Sequence, residues 1–231
     1  MLDLALGAAA AAAVFAGYNS MAPTSQLYGH TLICGRNPRH LALTYDDGPN
    51  DPHTQRLLEV LAKHEVRATF FMVGQYVQRR PQFAREVAQA GHALGNHTLT
   101  HPNLIFCSEM QTRVQLSECT RAIEDATGQS PKLFRPPFGG RRPSTLRIAR
   151  ELGLAPVMWN VTGFDWDAHS SAAIERKVTR QTRGGSIILL HDGSHRGLGW
   201  DRSHTVAATD ALLARYKSEG FQFVTIPELA G

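Results

Sequence analysis

Short apolar runs alternate along the chain with segments in which apolar residues recur at helical spacing. Seven runs have the length and content of strands, and they cover residues 41–45, 68–73, 93–96, 132–135, 156–161, 187–190 and 222–225. They are continuously apolar, as expected for strands buried on both faces of a parallel sheet. Seven strands alternating with helices predict an α/β fold, closed or nearly closed as a (β/α) barrel of parallel strands.

Proline and glycine mark the ends of the intervening helices. Pro52 and Pro81 stand where a helix begins, because proline suits the first helical position. A longer helix is predicted from its N-cap Ser108 to Gly128. The side of this helix that faces the domain is expected to carry Met110, Val114 and Ile123.

Carboxylates and imidazoles follow three of the predicted strands. Asp46-Asp47-Gly48-Pro49 follows 41–45, His97-Thr98-Leu99-Thr100-His101 follows 93–96, and His191-Asp192 follows 187–190. Desolvating such groups is costly unless they are paired or bind a metal, so burial alone does not explain them. Active sites of (β/α) barrels lie at the carboxyl ends of the strands, where these groups fall. The pattern indicates a metal-dependent hydrolase.

The first two groups divide the expected chemistry between them. Adjacent carboxylates repel unless one binds a cation, so either Asp46 or Asp47 is expected to ligate a metal while the other acts as a base. His97 and His101 are four residues apart, which predicts two nitrogen ligands on one face of a helical turn. The HExxH pattern of metalloproteases is absent because Thr98 takes the place of the glutamate, so the base must come from elsewhere.

Two further segments allow a structural and a functional interpretation. Residues 134–140 hold two prolines and two glycines, which make either a plain rigid loop or a scaffold that holds a backbone N–H toward an oxyanion, with Arg135 orienting a carboxylate. Residues 164–167 carry a tryptophan between two aspartates, and a lone tryptophan is more often part of a core than a substrate platform. A lone histidine at a strand end is likewise more often structural than catalytic.

Composition and charge exclude some classes of protein. The 231 residues are 42% hydrophobic and 19% charged, which suits one large globular domain. The net charge is +4, but no dense basic stripe exists, so nucleic acid is not an expected partner. Weak attraction to anionic cell-wall polymers stays open. The three cysteines form no CxxC and are expected to be buried free thiols; a Cys107–Cys119 bridge is the alternative in an exported protein.

The N-terminal residues 2–17 are almost wholly apolar, with Asp3 as the only charge. The run is shorter than the ~20 residues of a comfortable bilayer span, and it lacks the positive region of a secretory signal. It is either a signal or anchor, or an apolar helix that covers one face of the domain. We therefore separate an N-terminal segment, 1–30, from a catalytic domain, 31–231. Membrane contact is expected only through 2–17, and export to the periplasm, cell surface or medium is favoured over the cytoplasm.

Taken together, in order and spacing, the five polar groups resemble the polysaccharide deacetylases, the fourth family of carbohydrate esterases, over about residues 40–229. The resemblance implies a distorted (β/α) barrel, often of seven strands. It also implies removal of N-acetyl groups from an amino-sugar polymer or oligomer, of chitooligosaccharide or peptidoglycan type. The alternatives are an O-acetyl esterase of the acetylxylan type, a hydrolase of a small cyclic amide, and a non-catalytic carbohydrate-binding protein on the same fold.

The resemblance assigns one divalent ion and a base. By analogy Asp46 is the general base, held by Arg135. The metal ligands implied in the same way are Asp47, His97 and His101. Zinc is the expected ion, and Co²⁺ or another first-row metal such as Fe²⁺ is the alternative.

The remaining roles implied by the resemblance concern the acid and the acetyl pocket. His191 is the general acid and Asp165 its partner. The pocket and oxyanion residues are the Phe138 backbone N–H, Trp166 and Leu189. Three positions depart from the family pattern. Tyr45 stands where phenylalanine is common, Phe138 where tyrosine is common, and Thr162 where many members carry an aspartate, which points to a subgroup with a different substrate.

Overall fold

The computed structural model describes residues 2–231 and, within the first helix, the side chains of residue 7 and of residues 10–21. The helices are α1 (Leu2–Met21), α2 (His53–Lys63), α3 (Gly74–Arg79), α4 (Pro81–Gln89), α5 (Glu109–Thr127), α6 (Pro143–Glu151), α7 (Ser171–Gln181), α8 (Ser203–Ser218) and α9 (Ile226–Ala230). The strands are β1 (His40–Gly48), β2 (Thr69–Met72), β3 (Ala93–Asn96), β4 (Leu133–Phe134), β5 (Ala155–Pro156), β6 (Val161–Thr162), β7 (Ile187–His191) and β8 (Gln222–Phe223).

The strands form one curled parallel sheet in the order β5-β4-β3-β2-β1-β7-β6, and β8 pairs with the start of β1. Strand β1 lies at the centre and is buried from Leu41 to Gly48 because β2 and β7 flank it and helices cover the sheet. Leu43, Phe70 and Leu190 pack in the main apolar core between the sheet and the outer helices. This architecture confirms the predicted distorted (β/α) barrel of parallel strands.

The segment predicted as a single strand, 156–161, is instead two short strands. Strand β5 pairs with β4, and β6 pairs with β7 at the other end of the strand order. Between them the backbone changes partners: the N–H of Val157 donates to Phe134, whereas that of Asn160 donates to Ile187. The prediction was wrong here because one apolar run spans the gap between the two edges of the curled sheet.

Two smaller expectations about side-chain burial were also wrong. Met110 and Val114 are exposed, because the buried seam of α5 runs through Leu116, Cys119 and Ile123 on the opposite face of the helix. All three cysteines are free thiols, as expected, but Cys34 is exposed and Cys107 is only partly buried; Cys119 is buried.

Among its described side chains, helix α1 buries residues only at its C-terminal end. Asn19 and Ser20 are buried, whereas Val14, Phe15 and Tyr18 are 75%, 60% and 66% exposed. Among the described residues, no helix combines the length and the hydropathy of a membrane span. The apolar run at 2–17 falls partly outside the described residues, since the side chains at 1–6, 8 and 9 are not described.

Candidate active site

The carboxyl ends of β1, β3 and β7 meet on one edge of the sheet and bring the polar groups together. Parallel pairing sets Asp46 of β1 directly beside His191 of β7. His97 follows β3, which is separated from β1 only by β2. The polar groups that follow these three strands therefore lie close together.

Asp46 is almost fully buried and its carboxylate is held from one side. The guanidinium of Arg135 donates from Nη1 to Oδ1 of Asp46 at 2.7 Å and to Oγ1 of Thr44 at 2.8 Å. Arg135 is itself inaccessible to solvent and lies 4.2 Å above the ring of Phe71. This leaves Oδ2 of Asp46 free, at 3.7 Å from Nε2 of His97.

Asp47, His97 and His101 direct one atom each toward a common point. Oδ1 of Asp47 lies 3.5 Å from Nε2 of His97 and 3.0 Å from Nε2 of His101, and the three atoms all lie within 4.8 Å of one another. Nδ1–H of His97 donates to the carbonyl of Arg135 at 2.8 Å, which leaves Nε2 with its lone pair available. The backbone N–H of His195 binds the other carboxylate oxygen of Asp47 at 3.2 Å.

This donor set fits a divalent metal ion. Oδ1 of Asp47 is buried and has no hydrogen-bond partner, an arrangement that a cation would satisfy. Burial alone would raise the pKa of Asp47, but the two histidines outweigh it and hold this pKa well below its usual range. Burial lowers the pKa of His101, which favours the neutral ring that a metal requires. Two imidazoles and one carboxylate leave coordination positions open.

The loop that carries the two histidines is not the helical turn predicted from their spacing. Residues 97–103 form an irregular loop with a bend at 99–100, and in it Thr98 and His101 take left-handed φ values of 67° and 61°. Oδ1 of Asn96 accepts from the N–H of Thr98 at 2.9 Å, and Oγ1 of Thr98 accepts from the N–H of His101 at 3.0 Å. These local hydrogen bonds, rather than helical periodicity, bring the rings within 4.9 Å.

His191 and Asp165 form a buried pair on the other side of the site. Nδ1–H of His191 donates to Oδ1 of Asp165 at 2.8 Å, and Thr205 and the backbone N–H of His191 bind Oδ2. Burial alone would lower the pKa of His191, but Asp165, together with Asp47 and Asp46, raises it to about 9. A histidine with this pKa is protonated at neutral pH and can donate a proton from Nε2.

The predicted pocket residues Phe138, Trp166 and Leu189 line one cavity of about 360 Å³, together with Asp47, His97 and His101, the triad that could hold a metal ion. Leu189 is buried. The ring of Trp166 packs edge-on against that of His191, with ring centres 5.3 Å apart, and the ring of Phe138 packs edge-on against that of His101, with ring centres 4.7 Å apart. Phe138 takes the left-handed conformation, with φ 58°. Thr162 lies on β6, at the edge of the sheet, and is absent from the cavity lining.

Several residues of the site were not predicted from the sequence. The ring of His195 stacks on His101 at 5.0 Å, and Trp159 and Trp200 line the cavity. Asp192 is buried beneath β1, where Thr54 donates to it, and burial raises its pKa to about 7. A Cβ on Gly48 would lie 2.1 Å from this carboxylate, so only glycine fits there. The position of Asp192, directly after His191, was a signal in the sequence. No motif marked His195, Trp159 or Trp200.

A carboxylate beside three side chains that could hold a metal ion, with a buried histidine–aspartate pair, all at the carboxyl ends of barrel strands, is an arrangement typical of metal-dependent hydrolases. The chain matches the family model for polysaccharide deacetylase over residues 35–157, more than half of its length. It therefore belongs to the polysaccharide deacetylase family.

Relatives with assigned names extend the match beyond this region. A peptidoglycan-N-acetylglucosamine deacetylase of Bacillus cereus is 34% identical over 202 residues, which cover 87% of this chain and 72% of that protein. A chitooligosaccharide deacetylase of Sinorhizobium fredii is 39% identical over 193 residues, 80% of this chain and 89% of that one.

Solved structures show the same fold with and without activity. The Bc1960 peptidoglycan N-acetylglucosamine deacetylase superimposes with a TM-score of 0.82 at 33% identity, covering 87% of this chain and 92% of that one. A CE4 family pseudoenzyme from Bacillus anthracis superimposes with a TM-score of 0.79 at 29% identity, covering 93% and 80%. Because the fold also occurs in a pseudoenzyme, activity has to be argued from individual side chains.

Proposed function

We propose that this protein is a metal-dependent hydrolase that removes N-acetyl groups from an amino-sugar polymer or oligomer. The observation that carries the proposal is the presence in one cavity of a metal-binding triad, a free carboxylate oxygen on Asp46, and a protonated His191. Hydrolysis of an amide needs both a base for the attacking water and an acid for the departing amine.

The metal would be held by Asp47, His97 and His101, with Zn²⁺ as the expected ion and Co²⁺ or another first-row metal as the alternative. When bound there, a divalent ion polarises the acetyl carbonyl and acidifies water.

The residues of the chain carry out the proton transfers. Oδ2 of Asp46 accepts the proton of the attacking water, while Arg135 holds Oδ1 and fixes the orientation of the carboxylate. The backbone N–H of Phe138 stabilises the negative oxygen that develops, a contribution of about 3–4 kcal/mol for a single well-placed donor. Nε2–H of His191 then donates its proton to the amine nitrogen as the bond to the acetyl carbon breaks.

An O-acetyl esterase of the acetylxylan type is the second candidate. The His191–Asp165 pair favours amide hydrolysis, because an amine leaves poorly until it is protonated, whereas an alcohol leaves more easily. A non-catalytic binding protein is disfavoured by the side chains themselves: the triad is complete, Arg135 binds Asp46, and His191 binds Asp165.

The substrate class follows from the relatives and from the walls of the cavity. The named relatives act on peptidoglycan N-acetylglucosamine or chitooligosaccharides. Trp166 and Trp200 are 51% and 43% exposed at the cavity, where flat rings can stack on sugars. We therefore propose an N-acetylated glycan as substrate and leave the choice between these two polymers to experiment.

The test is release of acetate from N-acetylglucosamine oligomers and from peptidoglycan, compared with acetylated xylan. We expect release from an N-acetylated glycan, loss of activity with a chelator, and recovery on addition of Zn²⁺. Release from acetylated xylan alone would establish the esterase instead, and no release from any substrate with metal bound would leave a binding protein.

We also propose that the protein is exported and that the N-terminal residues 2–17 contact the membrane surface. The apolar run and the exposure of Val14 and Phe15 support this proposal. A fusion of the full chain to a phosphatase that folds only after export tests it, with cell fractionation for membrane association. A phosphatase that stays inactive would place the protein in the cytoplasm.

A further inference from the structure

Arg141, which follows the 136–140 turn, is a buried cation that binds only backbone carbonyls. Its side chain is 1% exposed, and none of the described carboxylates pairs with it. Nη1 donates to the carbonyl of Gly139 at 3.0 Å, and Nη2 donates to those of Ala22 and Ser25 at 2.8 and 2.7 Å. Burial of a guanidinium without a counter-ion is unfavourable, so this arrangement calls for a reason beyond packing.

The carbonyls that Arg141 binds belong to two separate parts of the chain. Gly139 lies in the turn that carries Phe138, whereas Ala22 and Ser25 lie in the segment of residues 19–25 that leaves α1. The backbone N–H of Arg141 also donates to Ser20 at 3.0 Å. Ser25 in turn donates to Asn19 at 2.6 Å, which closes the segment on itself. Arg141 therefore joins segment 19–25 to the turn.

The turn has a conformation that needs support from outside. Phe138 and Gly139 are both left-handed, with φ values of 58° and 71°, and a phenylalanine adopts this conformation only when its surroundings impose it. A Cβ on Gly139 would lie 3.2 Å from Met158 and Trp159 on one side and 3.3 Å from the carbonyl of Met21 on the other. The turn is thus packed between the barrel and the end of α1.

We infer that Arg141 is a positioning residue for the Phe138 N–H, and that segment 19–25 belongs to the structure that supports the active site. The inference rests on the proposed function, in which this N–H faces the developing oxyanion. Segment 19–25 lies outside the region matched by the family model, which begins at residue 35. The support therefore joins Arg141, which lies inside the matched region, to a segment outside it.

The experiment compares Arg141→Gln and Arg141→Lys with the matched control Arg142→Gln, whose native guanidinium binds the carbonyl of Cys107 instead. Arg141→Gln is expected to lower kcat about 10- to 100-fold with little change in KM, since small displacements of a catalytic donor cost about this much. The loss should be the same on an N-acetyl oligosaccharide and on an aryl acetate, because both develop the same oxyanion. The kcat of Arg141→Lys should lie between those of wild type and Arg141→Gln, since the lysine ammonium keeps the charge but lacks the planar, forked donors of the guanidinium.

A second measurement separates positioning from folding. In Arg141→Ala, guanidinium ion at concentrations far below denaturing ones should restore kcat, because it can occupy the vacated site. A folded Arg141→Gln that keeps wild-type kcat while its Tm falls would show a purely structural role and overturn the inference, as would a loss confined to KM. If Arg141→Gln does not fold, Arg141→Lys and the guanidinium rescue decide the matter. Wild-type protein that releases no acetate would refute the proposed function instead.

Discussion

The two halves of the cavity are built in different ways. Asp46 and His191 are adjacent residues on paired strands, so the backbone ladder of β1 and β7 sets their separation. His97, His101 and Phe138 lie on loops with left-handed residues, held by contacts from Asn96, Thr98, Arg135 and Arg141 and by isolated backbone bonds, such as those from Gly74 and Gln75 to the carbonyls of Thr98 and Leu99. A strand shares the positioning of a side chain among the regular hydrogen bonds of its ladder, whereas each loop position depends on a small set of irregular contacts.

The difference predicts two kinds of response to substitution. Replacing a group on a strand should remove its chemistry and leave its neighbours in place, because the ladder remains. Replacing a support of a loop should move ligands or donors without removing any of them. Four experiments test this contrast.

The largest effect is expected for Asp46→Asn. The amide can still accept a hydrogen bond from Arg135 but cannot accept the proton of water, so kcat should fall by about 10²–10⁴. Metal content and the circular dichroism spectrum should match wild type, since β1 is unchanged. The exposed Asp51→Asn is the control. Activity near that of wild type would show that Asp46 is not the base.

His191→Ala should affect amides and esters differently. On an N-acetyl oligosaccharide, loss of the acid should lower kcat/KM by about 10²–10⁴. An aryl acetate should lose much less, because its leaving group departs without a proton. The exposed His204→Ala serves as the control. Equal losses on both substrates would mean that His191 binds or positions rather than donates.

Asp165→Asn should change the pH profile of kcat. Asp165 raises the pKa of His191, and the protonated, donating form is present below that pKa and lost above it. Without the carboxylate, burial lowers the pKa, so the alkaline limb should move to lower pH and the loss of activity should grow as pH rises. If the alkaline limb of the Asp165→Asn profile stays at the same pH as in wild type, that limb reports the titration of a group other than His191.

The smallest effect on kcat is expected for Thr98→Val, which removes a support of the metal loop. The N–H of His101 loses its acceptor, so metal affinity should fall by about 10- to 100-fold. With saturating metal, kcat should return nearly to that of wild type. Thr100→Val is the matched control, because the hydroxyl of Thr100 accepts only from Gln115 on α5. Unchanged metal affinity, measured by competition with a chelator, would show that the loop does not need the Thr98 hydroxyl to hold His101.

Much of the fold could be predicted because the strands are continuous apolar runs. The runs at 41–45, 93–96 and 187–190 all correspond to strands of the sheet, and their burial on both faces explains their composition. The run at 156–161 was wrongly predicted as one strand, because its apolar content indicates that the residues are buried but not which strand they pair with. The exposed Met110 and Val114 show the same limit, since an apolar residue can also lie at the surface.

The members of the site could be predicted more completely than its geometry. The residues of the triad, with Asp46, Arg135, Asp165 and His191, were all singled out from the sequence, and the structure brings them into one cavity or into contact with it. Their catalytic roles stay predictions that the experiments above decide. His195 and Trp200 were not singled out as site residues because no short motif surrounds them. Arg141 follows the predicted 134–140 segment, but its partners Ala22 and Ser25 are distant in the chain.

The sequence by itself determined which groups share the edge of the sheet. Polar residues after apolar strands must meet there, because the carboxyl ends of parallel strands lie side by side. Only the tertiary structure decided which oxygen of Asp46 stays free, how His97 and His101 converge without a helix, and that segment 19–25 supports the Phe138 turn. These features depend on hydrogen bonds between distant residues and on left-handed backbone at non-glycine positions. Local patterns of residues do not encode such contacts.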